Sequence, residues 1–248
     1  MSIRPDQPLF YLETLPEQGD EGLLIAEESR HVLASRRMGV GDRLYLTDGR
    51  GVLASAVITN LLRKREVMVR IEKLERRPRP LREWHVAAAT PKGDRMTTML
   101  DMLTQLGMTR FTPLLCEHSP AKMTDKTLGR WRRVCLAACK QSRRVWLPGI
   151  MAPVNVAGML ESAGDARILL AQPGNSQPDW DSVRYEREII MLTGPEGGFS
   201  AAELDLMKDA RVEAVDLGEN ILRVETAAVA LMSMAACGGK LFNKYNAH

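Results

Sequence analysis

The sequence is poor in aromatic residues, which make up 5% of its 248 positions, and it holds only four cysteines (Cys116, Cys135, Cys139, Cys237) and four histidines (His31, His85, His118, His248). No two cysteines form a CxxC and the histidines lie tens of residues apart, so neither a disulfide framework nor a metal site finds its usual ligand spacing. We expect a reduced chain without metal. Long apolar runs are missing too: the longest, Thr226 to Cys237, is too short to cross a bilayer, and the first six residues lack the apolar core of a signal peptide. These absences predict a cytoplasmic protein, neither secreted nor membrane-embedded. What is there is an ordinary globular composition, 45% apolar and 26% charged, with length for one large domain or two modest ones.

The formal net charge of +3 conceals a gradient along the chain. Residues 1–82 carry 15 basic and 12 acidic groups, residues 83–150 carry 11 and 5, and residues 151–248 carry 8 and 14. Basic clusters recur at Arg36-Arg37, Arg63-Lys64-Arg65, Arg76-Arg77 with Arg79 and Arg82, Arg130 with Arg132-Arg133, and Arg143-Arg144. Any one of them reads most simply as a solvated face. Five in the first 150 residues point to a polyanionic partner.

Residues 42–74 read as a β-meander. Arg43–Thr47, Val52–Ile58 and Val67–Ile71 alternate, and Asp48-Gly49-Arg50-Gly51 is turn chemistry. Glu27–Met38 precedes it as a short helix, and Glu75–Pro80, with two prolines, breaks any element. The boundary falls there, separating a small β-barrel domain (1–77) from a second domain (78–248). In the second, strands (Trp84–Ala89, Phe111–Leu115, Ile168–Ala171, Ile189–Leu192, Ala214–Leu217) alternate with helices (Asp94–Leu106, Leu128–Ser142, Ala201–Asp209, Glu225–Leu241). That order predicts an α/β fold with a parallel sheet.

Two segments carry the chemistry. In the first, a buried strand runs into Gly194-Pro195-Glu196-Gly197-Gly198, and Ser200 with Glu203 forms a capping box stapled by Phe199 and Leu204. Glycines between a strand end and a helix start let backbone approach a ligand closely, at the place where open α/β sheets bind one. Neither GxxxxGK[ST] nor GxGxxG is present, and Glu196 repels phosphate, so the loop suits a neutral or cationic ligand with hydroxyls and amines. The bland alternative is a tight turn that needs glycine. In the second segment, Leu217-Gly218-Glu219-Asn220-Ile221-Leu222-Arg223-Val224-Glu225-Thr226-Ala227-Ala228, a strand end at Gly218 leads to a loop with an arginine and a carboxylate. Its bland alternative is a structural Arg223–Glu225 ion pair.

GPEGG-F-S-x-x-E followed by L-G-x-x-I-L-R-x-E-T-A resembles the RsmE-type family of the SPOUT superfamily, which methylates uridine N3 in 16S ribosomal RNA. The likeness extends to Lys92-Gly93-Asp94-Arg95, Leu106-Gly107, Thr112-Pro113-Leu114, Gln141-Ser142-Arg143, His31, Gly41-Asp42 and Asp48-Gly49, nearly the whole chain. It implies a PUA-like β-barrel for RNA, a trefoil-knotted SPOUT domain that binds S-adenosylmethionine, and a homodimer acting on 16S ribosomal RNA or the small ribosomal subunit. On this resemblance the cofactor is held by Leu170, Gln172, Pro173, Gly194, Glu196, Gly197, Gly198, Leu217, Gly218, Ile221, Leu222, Thr226 and Ala227. Arg223 orients RNA phosphate or stabilises a uracil anion, Glu225 orients Arg223, and Arg36, Arg37, Arg63, Lys64, Arg65, Arg143 and Arg144 contact RNA. Small residues around the last helix, Ala228 among them, would meet a second subunit.

The chain departs from the family pattern at Gln105, where glutamate is usual, at Lys140, where an acid is common, at Ala34-Ser35-Arg36-Arg37, where R-V-L-R is favoured, and at Asn220, a commonly basic position. Two rivals stand beside the methyltransferase. One is an RNA-binding module that binds cofactor without transferring methyl. The other is a nucleotide hydrolase, whose glycine loop would lack a phosphate lysine.

Overall fold

The computed structural model describes residues 3, 7–62, 66–119, 123–174 and 176–237. The chain divides into two units, Met1–Arg79 with Leu136–Leu147, and Pro80–Cys135 with Pro148–His248.

In the first unit, β1 (Leu9–Tyr11), β2 (Glu21–Leu23), β3 (Arg43–Thr47), β4 (Val52–Leu61) and β5 (Val67–Arg76) form one sheet in the order β1-β3-β4-β5-β2. β3, β4 and β5 are the expected antiparallel meander, and β1 lies parallel to β3. Period-two alternation sends Leu44, Leu46, Ala54, Ala56 and Ile58 to one face, with Phe10, Val32, Val67, Val69 and Ile71. The alternate positions Tyr45 and Leu53 join Leu9 and Val145 on the other, with Trp146 packed against them. Asp48 Oδ1 accepts the amides of Arg50 and Val52, which sets the β3–β4 turn. Gly51 there has φ +98°, and a Cβ on it would lie 2.2 Å from the Trp146 ring.

Some boundaries differ from expectation. The helix is α1 (Ala26–Arg30) followed by a π-helical turn, His31–Ser35, and the chain leaves it at Arg36, with Arg37 left-handed at φ 53°. β5 runs through Glu75 and Arg76, which pair with Leu53 and Val52, so the break begins only at Arg77-Pro78. Ladder pairing outweighs the coming prolines until one removes a donor.

The second unit holds β6 (Glu83–Ala88), α2 (Arg95–Leu106), β7 (Arg110–Leu115), β8 (Gly149–Ile150), β9 (Val154–Asn155), α4 (Val156–Glu161), β10 (Arg167–Ala171), α5 (Trp180–Val183), β11 (Glu188–Thr193), α6 (Ala201–Asp209), β12 (Glu213–Val215) and α7 (Val224–Cys237). Helix α3 (Asp125–Ser142) contributes its residues up to Cys135 here and those from Leu136 to the first unit. The sheet runs β12-β10-β11-β6-β7-β8, with β9 also on β7, and every pairing is parallel. β11 is buried along Ile189–Thr193 and β6 along His85–Ala88, as strands covered on both faces are. Pro113 sits in β7 where its partner changes from β8 (at Phe111) to β9 (at Leu114), a gap in which a missing amide costs least.

β12 ends at Val215 rather than at Leu217: Asp216 Oδ1 accepts the Gly218 amide and turns the chain out of the ladder. In α7, Ala227, Ala228, Leu231, Met232 and Ala235 are buried within the single chain, so Ala228 is covered without a second subunit. The expected extension of this helix to Leu241 lies outside the described residues. Among the described residues no helix is long and apolar enough to cross a membrane, and no cluster of three His, Cys, Asp or Glu could hold a metal.

Candidate active site

Because β12, β10 and β11 are neighbours and parallel, the loops at their carboxyl ends share one sheet edge. They enclose a cavity of about 320 Å³. β10 contributes Leu170, Ala171, Gln172 and Pro173; β11 contributes Thr193, Gly194, Pro195, Glu196, Gly198 and Phe199; Asp216, Leu217, Gly218, Asn220, Ile221 and Leu222 follow β12; Val224 and Ala227 open α7. The walls are mostly apolar side chains and backbone, and the charges among the lining residues are the carboxylates Glu196 and Asp216, with no lysine or arginine.

The local chemistry explains the shape. The Gly198 amide bonds back to Pro195 O at 2.9 Å, closing a turn in which Gly198 has φ +74°. Gly194 is forced by approach rather than by φ, since a Cβ there would lie 2.6 Å from the Phe199 ring. The expected capping box forms: Ser200 Oγ accepts the Glu203 amide at 3.2 Å and Glu203 Oε2 accepts the Ser200 amide at 2.8 Å. Its Oε1 also accepts the Glu117 amide at 3.0 Å, so one carboxylate starts α6 and holds the loop after β7.

All the anticipated cofactor residues line this cavity except Gly197 and Thr226. A Cβ on Gly197 would face His118 Cβ at 3.4 Å. Thr226 is exposed on the first turn of α7. Asp216, Asn220 and Phe199 line the cavity and were missed. The strand expected through Leu217 hides Asp216, and the staple pattern hides Phe199.

Arg223 is exposed just before α7, between the lining residues Leu222 and Val224. No ion pair joins it to Glu225 among the described residues. Glu225, with its side chain 15% exposed, instead has Oε2 3.9 Å from Arg95 Nη1, the same nitrogen that bonds Glu196 Oε1 at 2.9 Å. Arg95 therefore links the segment after β6 to both C-terminal motifs, a role invisible at a separation of 130 residues. His118 touches the glycine turn as well, with Nδ1 3.0 Å from Gly198 O. A carbonyl only accepts, so Nδ1 carries the proton. Nearby Cys116 is no nucleophile, because burial first, and Glu203 second, push its thiol up to about 12.

Residues 77–236 match the family described as RNA methyltransferase domain, and residues 24–72 match RNA methyltransferase PUA domain. The chain belongs to the RsmE-type RNA methyltransferase family. It is 31% identical over 239 residues to ribosomal RNA small subunit methyltransferase E of Mycobacterium bovis, covering 89% of this chain and 87% of that one. A Neisseria gonorrhoeae protein of the same name, solved bound to S-adenosyl methionine, superposes with a TM-score of 0.82 at 27% identity, covering 93% and 98%. A Legionella pneumophila protein described as a methyltransferase, in complex with the cofactor SAM, gives 0.84 at 28%, covering 95% and 98%.

In the part of the chain that carries the PUA match, the candidate RNA contacts separate. Arg36 and Arg143 line a cavity of about 510 Å³ with His31, Lys140 and Gln141. Arg37 is exposed, Arg144 is half-buried, and Arg63, Lys64 and Arg65 lie outside the described residues. Lys140, which replaces a common acid, is paired with the buried Glu28. Burial, followed by the Lys140 charge, holds His31 below its ordinary pKa. Gln105 bonds Asp101 one helical turn back on α2 at 2.7 Å.

Proposed function

We propose that this RNA methyltransferase uses S-adenosylmethionine to methylate N3 of a uridine in small-subunit (16S) ribosomal RNA, in the cytoplasm. The observation that carries the cofactor is the cavity at the ends of β10, β11 and β12. Its Gly198 and Gly218 leave open space where a Cβ would stand, backbone groups line its turns, and its only charged lining residues are carboxylates. This fits a cationic ligand bearing an amine, hydroxyls and a purine, and it opposes a nucleotide triphosphate. Leu170, Leu217, Ile221 and Leu222 would hold the apolar parts, Gly194–Gly198 would close over the ligand, and Asp216 or Glu196 would take its polar groups. When bound, the cofactor supplies an already activated methyl group.

The chain's residues then have to align a nucleophile and ease loss of the uracil N3 proton, whose pKa lies above neutrality. Arg223 would stabilise the negative charge that develops on the base, while Glu225, drawn to Arg95, holds the start of α7. N3 is engaged in a duplex, so the target uridine is unpaired or flipped. Arg36, Arg37, Arg63, Lys64, Arg65, Arg143 and Arg144 would contact RNA phosphates. The trefoil knot implied by the family belongs to this reading too, as does the homodimer. α2 packs on α7 and leaves Met102 45% and Leu106 36% exposed one turn apart, an apolar pair suited to a second copy.

The test is the product. Nucleoside analysis and position mapping of 16S ribosomal RNA from cells with and without the protein should show one N3-methyluridine lost in its absence and restored by the purified enzyme with S-adenosylmethionine. An unchanged modification pattern overturns the assignment. Met102→Glu with Leu106→Glu should sediment as a monomer; a wild-type chain that is monomeric and active refutes the homodimer.

A further inference from the structure

The same sheet edge carries a second cavity, of about 520 Å³, at the carboxyl ends of β6 and β7. Lys92 enters it from the loop after β6, and Lys126, Arg130 and Arg133 enter from α3, where spacings of four and three residues put them on one helix face. No carboxylate is among the lining residues. The nearest acids are Asp94, 3.3 Å from Arg130 with its side chain 96% exposed, and Asp125 at the start of α3. An ion pair so open to water is weak and a stronger anion displaces it. Trp131 is buried between Arg130 and Arg133 in sequence and packs edge-on to Phe111 of β7 at 6.0 Å, so the face that bears the cations is fixed on the sheet. Met96 and Met123 give the cleft an apolar floor.

The rim of this cleft is also the wall of the cofactor cavity. Gly93 lines the cleft, and two residues on Arg95 reaches Glu196; Ser119 lines the cleft, and the preceding His118 reaches Gly198. Glu196 and Gly198 line the other cavity. We propose that the Lys92–Lys126–Arg130–Arg133 cleft is a site for backbone phosphates of the RNA substrate, placed so that a nucleotide held there turns its base over the Arg95–His118 rim toward the cofactor. This rests on the reading of the cofactor cavity given above. Four cations, three on one helix face and one on the loop after β6, suit successive phosphodiesters, and the floor suits a sugar or base.

The experiment measures binding of single-stranded RNA across a salt series, a readout that needs neither a uridine target nor methyl transfer. Arg130→Ala with Arg133→Ala should lower the slope of log affinity against log salt by about 0.7 for each contact removed, since each neutralised phosphate releases counterions. In methylation assays the double variant should raise KM for RNA about tenfold, with S-adenosylmethionine affinity within twofold of wild type. Lys126→Ala should act in the same direction with a smaller effect, and since all three side chains are exposed the variants should keep the wild-type Tm. An unaltered slope in a folded double variant overturns the proposal and leaves the uridine reading standing. Inorganic phosphate at millimolar concentration that protects the cleft without competing with RNA also overturns it, marking a small-anion pocket. A reduced slope in a chain that makes no N3-methyluridine supports the cleft and removes the earlier reading instead.

Discussion

The two cavities of the second unit sit at the ends of neighbouring parallel strands and differ in almost everything else. The one at β12-β10-β11 is walled by backbone, glycine and apolar side chains, with Glu196 and Asp216 as its charges. The one at β6-β7 has four cations and no lining carboxylate. An activated methyl cofactor is cationic at its reactive centre and RNA is a polyanion, so a transferase must present opposite potentials within one nucleotide's reach. The fold draws the two surfaces from different loops, and among the ties between them are Arg95, which reaches Glu196, and His118, which reaches Gly198.

The strand between β11 and β7 gives the largest expected effect. His85 lies in β6, buried, with Nε2 2.7 Å from Thr112 Oγ1 of β7. Burial, then the charge of Arg110, lowers its pKa from 6.5 to about 4. The unfolded chain therefore takes up a proton near pH 6.5 that the folded chain refuses until about 4. The contribution to stability is complete above pH 6.5 and is lost as pH falls toward 4, reaching about 3 kcal/mol. Thermal unfolding between pH 7 and 4 should show that loss, with both ligands released together, and His85→Gln should flatten the profile. An equally steep acid profile in the variant would place the sensitivity elsewhere.

Separating the cavities is the next test. Gly194→Ala puts a Cβ 2.6 Å from the Phe199 ring, at the turn into α6. Overpacking of this kind costs about 1–3 kcal/mol, and where the glycine turn shifts to relieve it, S-adenosylmethionine affinity should fall by about fivefold to a hundredfold by calorimetry. RNA binding by the β6-β7 cleft should not change. If both affinities fall together, the cavities are not independent surfaces. Gly197→Ala should be much milder, because its side chain would meet His118 at an ordinary distance.

How legible this was depended on whether the partners lie together in the chain. The meander, the glycine turn and the capping box are continuous segments whose spacing dictates their geometry, so Asp48–Gly51 and Ser200–Glu203 could be read directly. β1 and β2 have three residues each, and β8 and β9 have two; such strands exist only through distant partners, as Leu9 does beside Tyr45, and have no periodicity of their own. The cavity at β10, β11 and β12 was mostly readable because each wall is a strand end followed by a turn. Gly197 belongs to the same loop, and a Cβ on it would face His118. The basic cleft was visible only as the Arg130–Arg133 cluster, since Lys92 joins it from the loop after β6, earlier in the chain.

Arg95 supplies the smallest effect and the sharpest test of the link between the cavities. Sequence proximity suggested Arg223 for Glu225, yet residues two apart at a helix start point in different directions, and the carboxylate found the guanidinium on α2 instead. Glu225 Oε2 is buried and has no hydrogen-bond partner, so the arginine 3.9 Å away is its compensation, whereas Glu196, 54% exposed, is already well solvated. Removing the guanidinium should therefore cost mainly at Glu225. Arg95→Ala should lower stability by about 1 kcal/mol, some 2–4 °C in Tm, and reduce kcat about threefold as α7 and the glycine turn lose their common tie. Affinities for RNA and S-adenosylmethionine should stay within a factor of two. Glu225→Gln on top of Arg95→Ala should recover most of the lost stability but not the lost turnover, because an amide removes the buried charge without restoring the bridge to Glu196. Additive losses of stability in that double-mutant cycle would show that Arg95 and Glu225 are merely near each other.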